Sequence, residues 1–188
     1  DDPGRAGGVR ALWRSGDASG DAASPSFTWG AGVEAAFQRD DRKNFENDGG
    51  SAGALTLDQL ERVRSVGGFA RAGLRLAEPV RVTAALRHDR FRFEADDRFV
   101  IFGAVEDPDD SGSRTMDAWS PTLGTVVDVG GGATLWANVS TAIETPTTTE
   151  LVNRPEGGGG FNPELDPQRS VAVEVGARGT LGRRLRWE

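Results

Sequence analysis

The chain holds one histidine, His88, set in "RHDR" beside Asp89. A histidine next to an aspartate supplies two members of a nucleophile-activating relay, but no Gly-x-Ser-x-Gly elbow accompanies them, and catalysis is not expected. "EDPDDSG", residues 106–112, sets Asp107, Asp109, Ser111 and Gly112 in the order that opens a calcium loop. Position twelve of that loop is Ala118, which has no oxygen to offer, so an ordinary turn is the better reading. "NVS", 138–140, matches a glycosylation acceptor but falls within an alternating segment, and is read as chance. No catalytic residue, metal ligand or cofactor is therefore assigned.

Recognition chemistry is more promising. In "RFRFEADDRFVIF", residues 90–102, Arg90, Arg92 and Arg98 are interleaved with Phe91, Phe93, Phe99 and Phe102. Guanidinium forks grip paired oxygens, and aromatic faces stack on planar groups. Arg92, Arg98, Phe99 and Phe102 are thus candidate contacts for an anionic metal chelate, as are Asn153, Arg154 and Phe161 in a later polar stretch. The alternative is that Arg90 to Phe93 prolong a strand while the phenylalanines pack loops together. The glycine run at 157–160 is expected to leave its loop mobile, because ordering glycine costs the most backbone entropy.

The whole chain limits what these residues can serve. It has 188 residues, no cysteine and a net charge of -7. A disulfide framework and thiolate metal sites are excluded, and the acidic balance argues against nucleic acid as a partner. No apolar run approaches the roughly 18 to 20 residues of a membrane-spanning helix. Strands that cross a bilayer escape that test, because their lipid-facing and water-facing residues alternate.

Alternation is what the chain shows. In "FTWGAGVEAAFQR", 27–39, Phe27, Trp29, Ala31, Val33, Ala35 and Phe37 share one face, while Thr28, Gly30, Gly32, Glu34 and Gln38 share the other. Val80, Val82, Ala84 and Leu86 likewise oppose Arg81, Thr83 and Arg87, and Val171, Val173 and Val175 oppose Glu174 and Arg178. Segments 119–129 and 133–143 repeat the pattern, and 64–76 follows it except for Phe69, which falls on the polar side. Residues 1–26 are poorly marked, with a possible partial strand. Short links stand at 77–79, 130–132 and near 182–184; long polar links are expected at about 40–61, 94–116 and 145–169. The expected fold is all-β, an antiparallel meander of long strands forming part of a transmembrane β-barrel over 27–188, with short periplasmic turns and long extracellular loops. Glu34, Arg87, Glu174 and Arg178 would face the lumen. His88 would lie near the upper membrane boundary with Asp89 behind it.

"LRHDRFRFE" (86–94), "MDAWSPTLGTVVDV" (116–129), "TPTTTELVNRP" (145–155) and above all "NPELDPQRSVAVEVGARGTL" resemble the C-terminal part of the barrel of TonB-dependent outer-membrane receptors. In that family an NP-x-L-x-P-E type phrase ends an extracellular loop before a strand with Glu and Gly on its inner face. Asn162, Pro163, Leu165, Pro167, Glu174 and Gly176 match that order, with Gln168 where an acidic residue is commoner. The resemblance implies a 22-stranded barrel with a plugged lumen, of which this chain would supply about seven or eight strands as a fragment. It also implies a Gram-negative-type outer membrane, its lipid as a partner, and a TonB complex engaged through a plug not contained in this sequence. The function implied is energy-coupled uptake of a scarce nutrient such as a ferric siderophore. A passive porin-like channel and a soluble β-sandwich binding module are the rival readings.

Overall fold

The computed structural model describes residues 4–15, 27–101, 108–155, 157–181 and 185–188. Within them the strands are β1 (Arg5–Arg14), β2 (Phe27–Asp48), β3 (Ser51–Ala77), β4 (Val80–Asp97), β5 (Gly112–Gly130), β6 (Ala133–Glu144), β7 (Gln168–Leu181) and β8 (Leu185–Trp187). One short helix, α1 (Thr148–Val152), lies between β6 and β7. The strands form one sheet in sequence order, every neighbour antiparallel. That is the expected meander. β1 begins at Arg5, ahead of its first large apolar residue Val9, and pairs with β2 from Arg5↔Arg39 to Arg14↔Gly30.

Register sorts the side chains into two faces, because directly opposed residues in a ladder point the same way. One face carries rows such as Trp29, Ala72, Ala84, Leu123, Val139 and Val173. Its large apolar residues stay uncovered: Val171, Val173 and Val175 are 69%, 73% and 77% exposed. The other face carries Glu34, Arg87, Asp89, Glu174 and Arg178. The sheet's concavities open on that polar face, including one of about 450 Å³ lined by Arg81, Thr83, Trp136, Asn138 and Arg178. The polar face is therefore the inner, concave one and the apolar face the outer.

Phe69 does lie on the inner face, opposite Gly32 on β2 and Arg87 on β4. Its ring and Leu12 of β1 occupy the space a side chain at Gly32 would fill. Trp136 lies over Gly176 in the same manner. Pro121 stands one residue beyond the last β5 position paired to β6, where the ladder is one-sided and a missing N–H is tolerated.

The expected long link at 40–61 is not a loop. β2 and β3 continue as a paired ribbon to a two-residue turn at Gly49–Gly50. Both glycines have positive φ, 58° and 94°, as a type I′ hairpin requires, and Asn47 Oδ1 accepts the Gly50 N–H at 2.8 Å. Above a membrane neither face of a hairpin needs to be apolar, so polarity there does not signal a loop. "NDGG" was the available cue. The link expected at 94–116 is likewise shorter: β4 runs to Asp97 and β5 starts at Gly112. Gly50→Val is expected to cost the hairpin tip about 1–3 kcal/mol through backbone strain, whereas Gly49→Asn is tolerated. Amide exchange at the tip checks this, and equal protection in the two variants would refute it.

Candidate functional site

The rim that bears the long connections is built over the inner face. Phe93 of β4 and Met116 of β5 point inward and are almost fully buried, both 4% exposed, beneath Leu151 of α1 at 0%. Val63, Phe91, Phe161 and Leu165 pack around them. Segment 145–167 thus folds inward across the wall instead of standing clear of it.

Its sequence explains the anchoring. Thr147 and Glu150 form a capping box: the Glu150 N–H donates to Thr147 Oγ1 at 3.3 Å, and the Thr147 N–H donates to Glu150 Oε2 at 2.8 Å. The sequence reading assigns no helix here, although "TPTTTE" carries that signature. Arg42 of β2 bridges Glu61 of β3, 2.6 Å, and Thr149 of the helix, 2.7 Å. The "NPELDP" phrase closes the segment. Asn162 Oδ1 accepts the Glu164 N–H at 2.9 Å, while the Asn162 carbonyl accepts from Arg114 of β5. Arg114 also pairs with Asp166 at 3.0 Å, and Leu165 enters the apolar cluster. One polar phrase therefore turns the chain and pins it to the wall.

Those donors hold the Glu150 carboxyl below its ordinary value of 4.5, the Thr147 backbone N–H having the larger effect and its hydroxyl the smaller. A depressed pKa means the cap contributes above the ordinary carboxylate range and is lost as pH falls through the lowered value. Exchange protection of the Thr147 amide, which donates to that carboxylate, corrected for intrinsic rates, is expected to drop in that acid window. Glu150→Gln, which can still cap, is expected to flatten the dependence; an unchanged pH profile in that variant would contradict the assignment.

Lower on the inner face a charge network crosses four strands. Arg87 of β4 grips Asp89 with two donors, at 2.7 and 2.6 Å, and reaches Glu34 of β2 at 2.8 Å, which also pairs with Arg10 of β1. The reach passes over Gly67 of β3, where any side chain would collide with Asp89 and Arg87. Glu174 and Arg178 lie on the same face opposite Asn138 and Thr134.

The other sequence candidates are dispersed. Arg92 points to the outer face and pairs with Glu94 at 2.8 Å. Arg98 lies among Asp41, Asp96 and Asp58, at 3.3, 3.7 and 3.9 Å, and the Phe99 N–H donates to Asp97. Phe102, with Glu106 and Asp107 of the calcium-like stretch, lies outside the described residues. Asn153 caps the C-terminus of α1, and Phe161 sits against Gly112 in the loop cluster. Arg154 donates to the Gly159 carbonyl at 2.9 Å, while its Nε is shielded from solvent and meets no acceptor among the described residues. The glycine run expected to be mobile makes contacts with its surroundings in this structure. Besides the Arg154 bond, Gly159 approaches the backbone of Asp109 too closely for a side chain to fit.

His88 and Asp89 point to opposite faces, as adjacent strand residues must, so they cannot act on one proton. His88 packs against Trp119 on the outer face, with ring centroids 4.4 Å apart and planes tilted by 40°, and its Nε2 lies 3.5 Å from Asp117. Ala118, position twelve of the calcium-like stretch, is a buried strand residue. Among the described residues no three His, Asp or Glu side chains gather to hold a metal ion.

A long-stranded antiparallel wall, apolar outside, charged inside and covered at one rim by inward-folding connections, is a piece of an outer-membrane β-barrel. The sequence profile of the family described as "TonB dependent receptor-like, beta-barrel" matches residues 5–188. The chain belongs to that family, whose members reside in the Gram-negative outer membrane. Its fold is similar to the ferric yersiniabactin uptake receptor FyuA of Yersinia pestis, with TM-score 0.65 and 14% identity over 95% of this chain and 27% of that one. It is similar to the ferric-catecholate import receptor Fiu of E. coli K12, with 0.65 and 13% over 96% and 29%, and to the copper transporter OprC, with 0.63 and 19% over 95% and 27%. The chain therefore spans between a quarter and a third of the length of each of these structures.

Proposed function

We propose that the protein takes part in energy-coupled uptake of a metal or metal chelate through the outer membrane, binding its cargo at the loop-bearing mouth and passing it inward without covalent chemistry. The inward-folded segment 145–167 carries this reading. A mouth covered from the inner wall by a docked loop, over a charged lumen, suits gated capture better than free diffusion. The similar solved structures handle ferric chelates and copper, which supports a metal-containing cargo. Asn153 and Arg154 are the candidate contacts best placed for it, the shielded Nε of Arg154 meeting no acceptor among the described residues. Phe161, Arg98 and Phe99 shape the loops around them, and the outward direction of Arg92 takes it away from the lumen.

The test is uptake of labelled ferric chelates and copper by cells producing the complete receptor, with and without a working TonB complex. Accumulation of one cargo that depends on TonB is expected. Accumulation indifferent to TonB would instead identify a passive channel.

A further inference from the structure

Of the five tryptophans, four point outward. Trp13, Trp29, Trp119 and Trp187 stand on the apolar face, where a membrane girdle uses their amphipathic rings. Trp136 of β6 is turned the other way, into the lumen, on the row Arg81–Val126–Trp136–Gly176. Its half-buried ring lies across Gly176, where any side chain would strike it. An indole on the wet side of a barrel wall serves no lipid interface, so its stacking face is left for something in the lumen.

The arginines around that ring lack partners. Arg81 stands on the same row two strands away, and Arg178 lies on the adjacent strand β7, opposite Thr134. Neither forms an ion pair among the described residues, although Glu188 lines the same concavity. Higher on the inner face Arg10, Arg42, Arg87 and Arg114 each meet a carboxylate. Arg75 of β3 directly opposes Arg81, and like charges opposed in a ladder destabilise it. An anion held beside them offsets that cost. The concavity, about 450 Å³, has room for a ring-sized ligand, and Thr83 and Asn138 add a hydroxyl and an amide to its wall.

From this we infer that Arg81, Trp136 and Arg178 form a lumenal resting site for a planar anionic ring of the cargo, an aryl carboxylate or a catecholate. Guanidinium forks take paired oxyanion oxygens while the indole stacks on the ring, a combination of no use to a bare metal cation or an uncharged chelate. Thr83 lies ten residues below Phe93 on β4, the strand residue that supports α1. At about 3.4 Å each and a tilt near 40°, the site is about 26 Å beneath the docked loop, and so is distinct from the mouth. The inference rests on the uptake reading above and narrows its cargo to a chelate that bears aryl oxyanions.

The complete receptor, labelled with fluorotryptophan and purified in neutral detergent, is titrated with salicylate, cyclohexanecarboxylate and benzyl alcohol. The fluorine resonance of Trp136, assigned with Trp136→Phe, is followed. Salicylate is expected to shift it at concentrations about tenfold below those of the other two, and R81Q/R178Q is expected to weaken the response about tenfold. An equal response to cyclohexanecarboxylate or to benzyl alcohol, a silent Trp136, or a full response in a folded R81Q/R178Q receptor would overturn the assignment. The three-probe comparison keeps both arginines, so it decides the matter even if the double variant does not fold. Cells producing the complete receptor are then given labelled ferric tris-catecholate, ferric tris-hydroxamate and copper(II). TonB-dependent accumulation of the catecholate is expected. Accumulation of only the hydroxamate or copper, still dependent on TonB, would overturn this inference and leave the uptake reading standing, whereas catecholate accumulation indifferent to TonB would sink the uptake reading and not the site.

Discussion

Val173→Arg is expected to destabilise the folded barrel in a bilayer by about 2–4 kcal/mol, the cost of an arginine near the midplane of a lipid-facing wall. Val173 is 73% exposed on the outer face, opposite Val139 and between Val171 and Val175. Its row runs through Ala84 of β4, four residues above Val80, which places it about 10 Å into an apolar band of about 25 Å. There the guanidinium has no water and no counter-charge within easy reach. Glu174→Arg, one residue further, is the matched control. It turns into the lumen beside Asn138 and should change stability by no more than about 0.5 kcal/mol. Urea titration of the complete barrel in lipid vesicles measures both. Similar losses at the two positions would mean that the faces have been assigned the wrong way round.

Leu151→Ala is expected to release the inward-folded segment while leaving the wall intact. Leu151 is fully buried against Phe93 and Met116, and truncating such a leucine costs about 2–5 kcal/mol. The strands do not depend on it, so the loss falls on the docking of 145–167. Even the lower figure shifts the balance between docked and released forms by roughly thirtyfold. The Asn162 N–H, which donates to the Leu151 carbonyl at 2.6 Å, should lose exchange protection, and protease should cut within 153–160. Strand amides in β4 and β5 should keep theirs. A loop that stays protected would show that Arg42 and Arg114 suffice to hold it. If the docked loop gates the mouth, the same variant should also lose selectivity in uptake.

Much of the wall was legible because its signal is short-ranged. Phe27 to Phe37 and Val171 to Val175 alternate with polar residues in consecutive positions, and no knowledge of neighbouring strands is needed to see it. The bilayer enforces that pattern only within its own thickness. Above it the alternation loosens, which is why β2 and β3 were cut short at about 40–61 although "NDGG" marked their turn. Helix α1 escaped for a related reason: five residues are too few to show a helical period, and only its Thr147–Glu150 box announced it. The recognition residues were the hardest to place. Arg90, Arg92, Phe91 and Phe93 look like one mixed cluster in the sequence, yet the strand sends the arginines outward and the phenylalanines inward.

By itself, then, the sequence established the β class, the strand course and the division of each strand into an apolar and a charged face, because successive side chains on a strand must point opposite ways. Only the tertiary structure decided which charges meet. Glu34 and Arg87 lie far apart along the chain and touch because the β2–β3–β4 register brings them level across Gly67. Arg42 and Thr149 meet because the β6–β7 connection folds back over the wall. Register and loop docking depend on the packing of distant segments against one another, and local periodicity carries no record of that.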